Sequence, residues 1–145
     1  MRTLLIVLGL FLGFQATGQP KEKHADKIKE ARIEFMKKKL ALTPEEEKTF
    51  IPLYTNMLDE LDSLRRSYKD DIDLKDVDLT FMTDKECEKL IENVQEFKTK
   101  ELEITKRYTD EFKKILPIKK VAMIYKAEFE FRRELVERLR EGKRK

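Results

Sequence analysis

The 145-residue chain has one cysteine, one histidine and no tryptophan, and only four glycines and four prolines. Each shortage excludes a class of protein. His24 alone cannot build a Ser-His-Asp or Cys-His catalytic set or a multi-histidine metal site. Cys87 alone cannot staple the domain to itself, so helix packing must carry the stability. The chain has no Gly-rich loop to cradle a phosphate. No enzyme activity, cofactor or metal is therefore expected. What remains is 42% charged and rich in Lys, Glu and Leu, a balance that favours long helices with solvated faces.

One apolar run is present, at the start. Arg2, the stretch Leu4 to Phe14 and the small residues Ala16 and Gly18 form the three parts of a secretory signal peptide. The run is too short to span a bilayer. Cleavage is expected after Gly18, leaving one domain over 19–145. No cysteine near the cut invites a lipid anchor, so the mature protein is expected to be exported and soluble. The formal net charge of +3 falls by one when Arg2 leaves, a near-neutral balance that does not suit nucleic acid.

Apolar residues at helical spacing (Ala25, Ile28, Phe35, Leu42, with Ile33, Met36 and Leu40 beside them) predict a first helix over about Lys23–Ala41. Thr43 as N-cap, Pro44 at the first helical position and Glu46 completing a capping box open a second helix. Its stripe runs from Phe50 through Tyr54, Leu58 and Leu64 towards Tyr68, with a bend expected at Pro52. The acidic stretch Asp70 to Asp78 lacks the turn glycine and closing glutamate of a calcium loop and reads as a solvated connection. A second capping box, Thr83 to Glu86, opens a third helix of more than 30 residues, ended by Leu116-Pro117. The fourth runs from about Ile118 to Gly142, with Val121, Ala122, Tyr125, Phe129, Leu135, Val136 and Leu139 as its apolar face. Cys87 reads either as a small buried hydrophobe or as a thiol for an intermolecular disulfide. An all-α fold of four helices with antiparallel neighbours follows.

The candidate binding residues are surface groups. The first helix places Arg32 beside Phe35 and Met36, and the fourth brings Tyr125, Phe129 and Phe131 together with Arg132 and Arg133. Phe129 and Phe131 cannot point the same way on a helix, and Phe131 is expected to be the more available. The competing reading puts all these aromatics in the core, with the arginines snorkelling over it. Glu128–Arg132 and Glu134–Arg138 are spaced as i,i+4 ion pairs. The basic end, Arg138 to Lys145, reads as a solvated tail, with acidic headgroups or an acidic partner as a second possibility.

At Leu42-Thr43-Pro44-Glu45-Glu46 the chain resembles the LTxxQ-motif family of exported helical proteins, the Spy/CpxP type, with Glu46 in the glutamine position. Leu116-Pro117-Ile118-Lys119-Lys120 stands where the family has its second motif, and Pro117 keeps the helix start without the threonine or glutamine. Ala31 to Phe35 with Leu40 to Glu46, Phe50 to Tyr54, and Ile115 to Arg133 are similar to Bacteroidetes-type members labelled sensors of an extracytoplasmic-function (ECF-type) sigma factor. The resemblance implies long helical hairpins paired into a curved antiparallel homodimer in the periplasm. It further implies a concave face that holds unfolded or misfolded envelope proteins without ATP, or contact with a membrane sensor or anti-sigma protein in a stress response. Metal-binding relatives use histidines that this chain lacks. A chaperone (holdase) or stress-sensing adaptor is thus expected, against two rivals: a regulator of one folded partner, and a structural spacer.

Overall fold

The computed structural model of the chain describes residues 20–72, 74–75 and 77–142, with side chains from residue 25 onward. The expected signal peptide, the side chain of His24 and the last three basic residues lie outside the described residues. The helices are α1 (Pro20–Leu40), α2 (Pro44–Ser67), α3 (Lys69–Ile72), α4 (Asp84–Ile115) and α5 (Ile118–Gly142), with a 3-10 turn at Leu79–Phe81. No strand occurs among the described residues. The four long helices lie where periodicity and caps put them; α3 and the 3-10 turn add local order to the expected connection. Among the described residues no helix is long and apolar enough to cross a membrane.

The caps explain the boundaries. Glu46 N–H donates to the Thr43 hydroxyl at 3.2 Å and Thr43 N–H donates back to the Glu46 carboxylate at 2.9 Å. Such a cap contributes about 1 kcal/mol. Thr83 and Glu86 repeat the arrangement at the head of α4. α1 ends because Ala41 turns into the left-handed region at φ 45°, a conformation that usually calls for glycine. Leu116 is extended, φ −130° and ψ 148°, as the residue before Pro117 must be. Pro52 does not divide α2, which continues to Ser67.

α2 and α4 form an antiparallel hairpin: Tyr68 packs on Phe97 with ring centroids 5.8 Å apart, and Phe50 on Phe112 at 5.1 Å. α1 lies against α5 in the opposite sense, since the end of α1 meets Lys120 at the start of α5 while Arg32 meets Glu128 further along. Both interhelix turns therefore sit at one end. The core gathers there: Met36, Leu40, Phe50, Tyr54, Met57, Leu58, Phe112, Leu116, Val121, Ile124 and Ala127.

The apolar face of α5 differs from expectation. Val121 is buried as expected and Leu135 is half-buried, but the rest of the buried row is Ile124, Ala127 and Phe131, whereas Ala122, Tyr125, Phe129, Val136 and Leu139 are exposed. The helix carries two apolar rows, and the inner one holds Ala127, whose small side chain is fully covered. A methyl group there lets a neighbouring helix come close; the bulkier row is left outside.

Candidate binding groove

Three side chains from three helices close the middle of the bundle. Arg32 on α1 presents its guanidinium to Glu128 on α5, with Nε donating at 3.1 Å to one carboxylate oxygen and the terminal amine donating to the other. The Tyr54 hydroxyl on α2 donates to the first of these oxygens. Side-chain exposure is 27% for Arg32 and 13% for Glu128, and Tyr54 is completely buried. A carboxylate this covered needs partners, and the fork of an arginine with a phenol supplies three. Burial works against the charge on Arg32, yet hydrogen bonding and attraction from Glu128 raise its pKa. Burial first, then the adjacent Glu128 carboxylate, pushes the Tyr54 phenol well above its ordinary range.

A second lock holds the end where the turns meet. Lys120 donates to the Ala41 carbonyl at 2.9 Å and pairs with Glu46 at 2.6 Å. The Lys120 ammonium, joined by the Thr43 backbone N–H, holds the Glu46 carboxyl below its usual range. The residues of the first family-like motif thus tie α1, α2 and α5 together: Leu42 packs against the core, Thr43 and Pro44 start α2, and Glu46 reaches Lys120.

Beside the Arg32–Glu128–Tyr54 clasp runs an open groove of about 640 Å³ walled by α1, α2, α4 and α5. Its apolar floor includes Ile28, Met57, Leu61, Leu102, Ile124 and Tyr125. Its walls carry both signs, with Lys29, Arg65, Lys98 and Arg132 against Asp59, Asp62 and Glu101. Lys29 pairs with Asp59 and ties α1 to α2 within this wall. Leu102 and Tyr125 are exposed, and Phe129 follows one turn beyond Tyr125 on α5. The Tyr125 hydroxyl meets Thr109 at 2.7 Å, which fixes the ring against α4.

The expected binding residues divide between core and surface. Met36 is fully buried and Phe131 is 8% exposed, whereas Phe129 is 63% exposed; the assignment within the Phe129 and Phe131 pair is reversed. Phe131 is held inside by Phe35, ring to ring at 5.5 Å, and Phe35 is half-buried beneath the Lys39 ammonium, 5.1 Å from its centroid. Arg32 is engaged in the clasp. Arg132 lines the groove and donates to the Glu128 carbonyl at 3.3 Å rather than to its carboxylate, which is already taken. The expected Glu128–Arg132 ion pair is thus replaced by Arg32–Glu128, while Glu134–Arg138 forms at 3.7 Å. Arg133 is exposed. Sequence reasoning missed Tyr54, Glu128 and Leu102; Arg32 and Glu128 stand 96 positions apart, and no local pattern announces their pairing. No family profile, curated protein or solved structure matches the chain.

Proposed function

We propose that the chain is an exported helical protein of the Spy/CpxP type, an ATP-independent holdase of the periplasm that captures apolar segments of unfolded envelope proteins. The observation that carries this reading is the groove: an open, partly apolar channel lined by residues of mixed charge and by the exposed Tyr125 and Leu102. Small-molecule sites are usually more enclosed and more apolar. A groove open to solvent suits a segment of no fixed sequence, because apolar and two-signed lining residues accept many partners weakly.

The mechanism is reversible capture. Arg132, Arg133 and the lysines of the rim attract a client at long range; Tyr125, Phe129 and Leu102 then take its apolar groups out of water. Burial of about 200 Å² of apolar surface is worth roughly 5 kcal/mol before the costs of ordering, so contact is transient and release needs no ATP. The Arg32–Glu128–Tyr54 clasp keeps the walls at a fixed spacing. A homodimer joining two grooves adds multivalency.

The experiment is aggregation of a chemically denatured client followed by light scattering, without ATP, at increasing ratios of the chain from Gln19. Suppression near stoichiometry supports the holdase. A folded, helical chain that does not suppress, but crosslinks to one saturable partner in an envelope extract, overturns it in favour of a regulator of a membrane sensor or anti-sigma protein.

A further inference from the structure

We infer that the outer face of α5 is a docking seam for an acidic amphipathic helix of a partner protein, packed against α5 in coiled-coil fashion.

The row of α5 side chains left outside the bundle is spaced as a coiled-coil seam. Ile118, Ala122, Tyr125, Phe129, Val136 and Leu139, with Arg132 in the remaining place, follow one another at alternating steps of four and three residues. These are successive d and a positions of a heptad repeat, held over three heptads. All are exposed, the large apolar ones from 46% at Val136 to 66% at Ile118. The seam runs for about 32 Å. It is also narrow, two positions in every seven, where a helix facing only its own core carries one broader stripe. α5 already has an inner stripe in Val121, Ile124, Ala127 and Phe131, so the bundle does not use the outer row. The Tyr125 ring, fixed by the contact of its hydroxyl with Thr109 at 2.7 Å, loses little freedom when it is covered.

Charge identifies the occupant. Beside the seam on its solvent side stand Lys119, Lys126, Arg133 and Arg140, each seven residues from the next and all exposed. These are the e positions, whose charges select a coiled-coil partner. Among the described residues Lys119, Arg133 and Arg140 form no ion pair, and Lys126 reaches Glu130 only at 3.8 Å. Glu130 is itself held by Lys39 at 2.6 Å. A helix laid on the seam therefore meets a row of cations, and acids along its own flank complement them. Arg132 breaks the apolar row once, a polar seam residue of the kind that fixes register. The other flank of the seam belongs to the bundle: Val121 is buried, Glu128 is in the clasp and Leu135 is half-buried. This asymmetry sets other occupants aside. A second copy on the same seam would oppose the two basic rows in an antiparallel pair, and in a parallel pair would set each against the flank that is turned inward. A lipid surface takes up a broader apolar face. The seam does not rest on capture in the groove, since of its residues only Tyr125 and Arg132 line that groove.

The test uses the chain from Gln19 and two labelled heptad peptides with leucine at a and d, one carrying glutamate and the other lysine at both flanking positions. Fluorescence anisotropy reads binding. The glutamate peptide should bind tighter than the lysine peptide by roughly tenfold or more. Val136→Ser with Leu139→Ser, at positions outside the groove, should weaken it by roughly tenfold or more. Lys119→Glu, Lys126→Glu, Arg133→Glu and Arg140→Glu together should reverse the preference in favour of the lysine peptide, and that reversal also shows that the substituted chain folds. Equal binding of the two peptides, binding of neither, or a complex indifferent to the Val136 and Leu139 changes would overturn the inference. So would binding to phosphatidylglycerol vesicles without binding to the glutamate peptide, which assigns the face to lipid, or self-association lost with the same two serine changes, which assigns it to a second copy. Light scattering on the same proteins separates the two claims: aggregation suppressed without peptide binding removes only the seam, and peptide binding without suppression removes only the holdase.

Discussion

Replacing Glu128 by alanine removes the acceptor for both Arg32 and Tyr54. The guanidinium then sits largely covered without a counter-charge, and a fully buried phenol loses its partner. Breaking a fully buried pair from one side costs about 3–5 kcal/mol, and an exposed pair contributes about 0–1 kcal/mol. With 27% and 13% side-chain exposure this pair lies nearer the buried limit, so a loss of about 2–3 kcal/mol is expected. For a domain of this size that lowers Tm by roughly 8–12 °C. Urea and thermal unfolding followed by circular dichroism measure it. The apolar replacement Arg32→Met with Glu128→Leu should cost less than the two single changes added together, because neither charge is left alone. A loss below about 1 kcal/mol for Glu128→Ala, or strict additivity in the pair, would refute the view that the clasp is a covered, coupled unit.

Three further outcomes are expected. Ala41→Gly should stabilise the chain by about 0.5–1 kcal/mol in urea unfolding, because an exposed alanine at φ 45° carries a Cβ penalty that glycine lacks. Phe131→Ala should cost about 3 kcal/mol while Phe129→Ser, in the exposed row, changes stability by less than about 0.5 kcal/mol; equal losses would place both in the core. The carboxyls of Glu46, held by Lys120 and the Thr43 N–H, and of Glu130, held chiefly by Lys39, titrate below their usual range. Their contribution is present above the ordinary carboxylate pKa and is lost as pH falls through the lower folded values, so Glu46→Gln should flatten the acid side of the stability profile and leave the neutral side's slope unchanged.

Helix boundaries were legible because single residues decide them. Thr43 with Glu46, Thr83 with Glu86 and the Leu116-Pro117 step each fix a helix end by local hydrogen bonding or sterics, and each stands where the sequence placed it. The buried face of α5 was not legible, since two apolar rows on one helix satisfy the same periodicity and only tertiary packing selects between them. Ala127 and the Arg32–Glu128 pairing made that selection, and the pairing spans 96 positions in sequence. For the same reason Phe131 and Met36 turned from surface candidates into core. The groove needed four helices in place before it existed, so its floor residue Leu102 looked like any other apolar position on α4.

Site-specific photo-crosslinking to an unfolding client tests capture in the groove most directly. A photoreactive residue is placed in turn at Tyr125, at Leu102 and, as a control, at Ile91, which is equally exposed but lies outside the groove. Strong client crosslinks are expected from positions 125 and 102, few from 91, and loss of all of them once the client has folded. Crosslinks as strong from 91 as from the groove, or none from any position in a chain that suppresses aggregation, would contradict capture there.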